Sequence, residues 1–175
     1  WFAAFFADTL AMKGHDDATT ATSIVTFVVI GSGAIGCVGG GLLADRWGRT
    51  RAASLALLIS GTVALSIGWL RHGPIWLTVL VGVVWGVTVV ADSAQFSAMV
   101  TEVCDQSYVG TAVTLQLATG FVLTVATIRL VPEVRDLVGW DWAFLVLVPG
   151  PILGIVAMRR LAGSEHAARI AGGLG

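Results

Sequence analysis

Charge is what this 175-residue chain most lacks. Asp, Glu, Lys and Arg make up 12% of it, about half the share found in soluble domains. Lysine is nearly absent, with Lys13 standing alone beside the arginines, and the net charge of −1 leaves no basic footprint for nucleic acid. The two cysteines, Cys37 and Cys104, fall in different segments and spell neither a disulfide framework nor a metal-ligand pattern. His15, His72 and His166 lie between apolar runs or in the tail, so no H-E-x-x-H or paired-imidazole site forms within a span. No G-x-S-x-G and no Walker A string occurs, and Lys13 lies outside any S-x-x-K. Gly31-Ser32-Gly33-Ala34-Ile35-Gly36 spells G-x-G-x-x-G inside an apolar run, with no acidic residue between Arg46 and Ala91 to hold a ribose. It reads as helix packing. These absences argue against an enzyme and imply no cofactor and no metal.

What fills the chain is apolar: 56% of it is hydrophobic, and the mean hydropathy is +0.87. No charged side chain occurs from Ala18 to Ala44, more than the roughly 20 residues a helix needs to cross a bilayer. Charges punctuate the sequence so cleanly that spans can be read between them. A first, incomplete span ends near Met12, and the chain reads as truncated inside it. The others are predicted at roughly Ala21–Ala44, Ala52–Leu70, Ile75 to Met99 or Val100, Tyr108–Leu130 and Trp142–Met158. The linkers are then Lys13–Thr20, the Arg46–Arg51 loop, Arg71–Pro74, Glu102–Ser107 and Pro132–Asp141. This predicts an all-α multi-pass transmembrane bundle over residues 1–161 and a small polar tail over 162–175. Lipid is its first partner.

Basic residues orient the bundle. Arg46, Arg49, Arg51, Arg159, Arg160 and Arg169 fall on one side, predicted cytoplasmic together with the C-terminus. Lys13, Arg71, Arg129 and Arg135 fall on the other, flanked by Trp69, Trp76, Trp140 and Trp142 as interfacial aromatics. The expected location is a cell inner or plasma membrane.

The stretch Gly39-Gly40-Gly41-Leu42-Leu43-Ala44-Asp45-Arg46-Trp47-Gly48-Arg49-Thr50-Arg51 closes the long uncharged run. Asp45 falls at a helix C-terminus, where the backbone dipole disfavours a carboxylate, so it needs a partner such as Arg49, Arg46 or another helix's N-terminus. The string resembles the loop signature of the major facilitator superfamily, G-x-L-a-D-r-x-G-r-[KR]-x-x-[RKL]. Gly41, Leu43, Asp45, Arg46, Gly48 and Arg49 match; Thr50 stands where a basic residue is usual, with Arg51 one place later. Later segments, Ala91–Ala98, Tyr108–Ala112 and Gly139–Phe144, are similar to the C-terminal half of bacterial members. The resemblance implies a six-helix half of a secondary transporter that moves a small solute or ion by alternating access. It also implies a separate N-terminal six-helix half as partner, and a conformational latch formed by Gly41, Asp45, Arg46, Gly48 and Arg49. Gly150-Pro151-Ile152-Leu153-Gly154 spells the family's antiporter motif in a different span from the family's, and reads here as a kink and packing site. A membrane scaffold or interaction subunit that transports nothing is the competing reading.

Within the spans, Asp92 is the one deep acidic residue; at 1.5 Å per residue it lies roughly 25 Å from Ile75, towards the arginine side. Gln116, Gly120, Thr124 and Thr127 form a small and polar stripe with Thr119 beside it. Asp92, Gln116, Thr119, Thr124 and, near the outer end of the first span, Asp8 are the substrate-path candidates. Each has a structural reading as well: an inner-mouth carboxylate, interhelical hydrogen bonding, a helix end. Ser32, Gly36, Gly40 and Ala44 recur every four residues, and Gly82 with Gly86 forms a second pair, predicting close helix packing.

Overall fold

In the computed structural model the chain is helical nearly throughout, and residues 1–15 and 18–173 are described. Asp16 and Asp17 of the Lys13–Thr20 linker, Leu174 and Gly175 of the tail, and the side chains of His166 and Ala171 lie outside the described residues. The helices are α1 (Phe2–Met12), α2 (Ala18–Trp47), α3 (Arg49–Ser66), α4 (Ile75–Val103), α5 (Val109–Val138), α6 (Trp140–Ala143) and α7 (Pro149–Ala162). Segments of 3-10 helix follow α3 (Trp69–His72), join α6 to α7 (Phe144–Leu147) and close the chain (Glu165–Gly173). No strand occurs among the described residues.

Glycine and proline set the breaks. Gly48, with φ +94°, is the whole connection between α2 and α3, and Gly139, with φ +80°, turns α5 into α6; both conformations strain residues that carry a Cβ. Pro74 stands immediately before α4, and Pro149 opens α7, where a missing N–H costs nothing. The same Pro149 would clash with the carbonyl four residues earlier in a continuous helix, which accounts for the 3-10 passage over Phe144–Leu147.

Four helical stretches are long and apolar enough to cross a membrane: α2, α4, α5 and the α6–α7 unit Trp140–Ala162. At 30 residues, α2 and α5 are each about 45 Å long against a hydrocarbon core of about 30 Å. Of the six spans read from the sequence, α1 is short, at 11 residues. The third is an 18-residue helix with Arg49 and Arg51 in its first turn, continued towards His72 by a turn and a 3-10 segment.

Two boundaries differ from the sequence reading. The segment Pro132–Asp141 is not a loop: α5 runs through Pro132 to Val138, because Val131 is fully buried and the Arg135 guanidinium lies 5.5 Å from the centre of the Trp140 ring. Glu102 belongs to α4 and not to a linker. The tail packs back on the bundle through Ile170, which is fully buried in a cluster with Ala53, Leu57, Met99 and Met158.

Packing follows residue size. Along α2, a Cβ on Gly36 would overlap the Val87 carbonyl of α4, one on Gly33 would meet Val90, and one on Gly40 would come 3.0 Å from Ala91. From the other side, a Cβ on Gly86 would overlap the Val29 carbonyl, and one on Gly82 would strike the Phe2 ring of α1. Bare backbones therefore touch along an α2–α4 seam, and the buried Ser32 hydroxyl donates across it to the Val83 carbonyl at 3.1 Å. An aromatic cluster fills the opposite, tryptophan-rich end: Phe144 lies edge-on to Phe5 and Trp85, with Trp140 stacked upon it and Ile67 and Val131 alongside.

Candidate functional site

The α2–α3 corner sits at the arginine end. Because Gly48 alone separates the helices, Arg49 begins α3 facing the end of α4. Its Nη2 lies 2.7 Å from Glu102 Oε1, its Nε donates to the same oxygen at 2.9 Å, and its Nη1 donates to Gln95 Oε1 at 3.2 Å. Gln95 is buried, and Glu102 stands two helical turns further along the same face of α4. One planar guanidinium thus ties the start of α3 to two turns of α4, using the fixed fork of donors that lysine lacks.

Asp45 is exposed and forms no ion pair among the described residues. Of the arginines expected to neutralise it, Arg49 is turned to Glu102, and Arg46 is exposed. Gly41 meets no neighbouring atoms where a Cβ would stand. Glu102 and Gln95 were missed as partners; their spacing of seven on a helical face was the signal. Nearby, between α4 and α5, Asp105 accepts the Ser107 hydroxyl at 2.6 Å and the Ser107 amide at 2.9 Å, and these bonds hold its carboxyl below the usual carboxylate range.

Asp92 lies deeper in α4, seventeen residues past Ile75 and eleven short of Val103. Since α4 extends beyond Val100, Asp92 sits nearer the middle of its helix than the sequence spacing implied. It lines a cavity of about 470 Å³ between α3, α4 and the α7 unit, together with Ser60, Trp85, Ser93, Phe96 and Pro151. Ser93 donates its hydroxyl to Asp92 Oδ1 at 3.1 Å, and Trp85 donates its indole N–H to Ser60 Oγ at 3.1 Å.

The polar stripe of α5 faces a second space. Gln116, Gly120 and Thr124 line a cavity of about 250 Å³ against Ser93, Ser97 and Phe96 of α4. Gln116, Thr119 and Gly120 also line a larger one of about 630 Å³ that reaches Met99 and Met158. Gln116 Oε1 is buried without a hydrogen-bond partner among the described residues. The Thr119 and Thr124 hydroxyls donate back to the carbonyls of Leu115 and Gly120. Asp8 stands apart from all of these. Its Oδ2 accepts from Arg71 Nη2 at 2.7 Å, beside a Lys13 Nζ bond to the Gly73 carbonyl at 2.8 Å, so the two together pin α1 to the α3–α4 turn.

The arrangement supplies three cavities along α4, each with a few polar groups in a largely apolar wall, and a charged clamp at one end of that helix. Among the described residues no group of three His, Cys, Asp or Glu side chains converges as a metal site would require. Compared with known proteins, the chain matches the family model described as Major Facilitator Superfamily over residues 1–172. No curated protein and no solved structure matches it.

Proposed function

The chain belongs to the major facilitator superfamily as a membrane-transporter domain, and we propose that it forms the C-terminal six-helix half of a secondary transporter working by alternating access. The family match over nearly the whole length carries this reading. A second six-helix bundle is its partner, and the solute path lies between the two, the arrangement in which such bundles rock about a midplane site. Asp92, Gln116, Thr119 and Thr124 of α4 and α5 supply polar groups to that path, whereas Asp8 serves the opposite end through Arg71. The arginine end, with Arg46, Arg49, Arg51, Arg159 and Arg160, is cytoplasmic by the excess of positive charge, in a cell inner membrane.

Asp45, Arg46 and Arg49 with Gly41 and Gly48 form the latch. Arg49 fixes the corner to α4, and Asp45 projects unpaired among the described residues, free to meet a donor on the partner bundle. Such a contact exists only while the cytoplasmic side is closed, and only a contact differing between two states biases their equilibrium. The test is Asp45→Asn in the intact protein, read by uptake and efflux over a solute panel and by cysteine accessibility at the arginine end. Normal insertion, greater cytoplasmic accessibility and a fall in turnover exceeding any loss of affinity are expected. Unchanged rate with unchanged accessibility would remove the latch.

A further inference from the structure

We propose that the cavity between α3, α4 and the α7 unit binds a monovalent organic cation with an apolar body, its charge set against the Asp92 carboxylate. This names a substrate class for the transporter proposed above and rests on that reading. Asp92 makes no ion pair with a lysine, arginine or histidine among the described residues, and it lies well inside a helix long and apolar enough to cross the membrane. A charged group at such a depth is costly unless compensated, and it commonly marks a ligand or ion pathway. The cavity wall holds no basic side chain, so an anion finds no partner there.

The rest of the wall selects among cations. Trp85 and Phe96 bring aromatic rings to the wall, a side-chain type that attracts a cation best when it is organic and weakly hydrated, and Pro151 adds apolar surface. The polar remainder is two hydroxyls: Ser60, which accepts from the Trp85 indole N–H, and Ser93, which donates to Asp92. A bare metal ion needs several converging oxygen ligands, and one carboxylate among rings does not supply them. At about 470 Å³ the space falls within the roughly 300–1,000 Å³ range of small-molecule pockets.

The test is equilibrium binding to the intact protein in detergent with two probes of like shape and opposite charge, tetraphenylphosphonium and tetraphenylborate. Saturable binding of the phosphonium, and none of the borate titrated in a separate sample, is expected. Asp92→Asn should weaken it by roughly thirty-fold or more, Asp92→Glu should restore most of it, and Trp85→Leu should cost about three- to thirty-fold. Equal binding of both ions, or undiminished binding to Asp92→Asn, would overturn the proposal. The unsubstituted protein decides between the two charges by itself, so a variant that fails to fold does not rescue the idea. Cation binding without transport of any solute would keep the site and remove the transporter reading. Transport of other solutes without cation binding would do the reverse.

Discussion

Nine of the 18 residues of α3 are buried, while α5, with 30 residues, buries Val131 alone. Yet α3 carries two arginines and is too polar to count as a span by composition, whereas α5 meets that measure easily. Its interior face is Ala52, Ala53, Ala56, Ser60, Gly61 and Ala64, while α5 displays Leu115, Phe121, Val122, Leu123 and Val125 outward. In water the more apolar helix would be the inner one. In lipid, whose tails are as apolar as leucine, helices associate by close fit, and small residues mark the inside. Residue size, not hydropathy, therefore distinguishes the central helix from the peripheral one.

The sharpest way to break this contrast is to enlarge α3. A Cβ at Gly61 already stands 3.1 Å from Pro151, so Gly61→Leu should destabilise by about 3 kcal/mol and Ala53→Leu by about 1–3 kcal/mol, measured by thermal or denaturant unfolding in micelles. Next in size is the clamp at the start of α3. The Arg49 and Glu102 side chains are 19% and 25% exposed, so Arg49→Ala should cost about 2 kcal/mol by the same measurement. Arg49→Lys should recover only part of that, because an ammonium cannot serve Glu102 and Gln95 with the same fork. The smallest effect belongs to α5: Leu123→Ala should change stability by no more than about 0.5 kcal/mol. A loss there rivalling that of Gly61→Leu would show that α5 is packed against something in the intact protein, and the contrast would fail.

The sequence revealed these features unequally. The four-residue spacing through Gly36 and Gly40 runs along the seam on α2 because close approach has a fixed helical period; Gly86 meets that seam from α4, whereas Gly82, one turn before it, makes room for the Phe2 ring of α1. Charge, however, is an imperfect marker of a span's end, because a helix stops where its hydrogen bonding and packing stop. Glu102 therefore belongs to α4 despite its charge, and buried Val131 with the Arg135–Trp140 contact carries α5 past Pro132. Which arginine faces which carboxylate depends on helix rotation, so Arg49 pairing with Glu102 across 53 residues was not legible from residues adjacent in sequence. Ile170 was hidden for the opposite reason. One apolar residue in a polar tail carries no periodicity, and only the hollow beneath it explains its burial. Of the candidate path, the sequence named the polar residues of α4 and α5 but gave no sign that Asp92 and Gln116 open on separate cavities.

The single-residue corner at Gly48 has a mechanical consequence. Helix α2 is joined to α3 there, α3 is joined to α4 by the Arg49–Glu102 clamp at that end and by a short turn at the other, and α4 lies flush along α2. Three rods linked pairwise make a triangulated frame, and a triangle cannot shear without breaking a side. A force applied to α2 is therefore handed to α3 and α4 as displacement of one body, with the two dihedrals of Gly48 as the softest joint. α5 lies outside the frame and borders the cavities along α4, so it has the room to be displaced relative to that body.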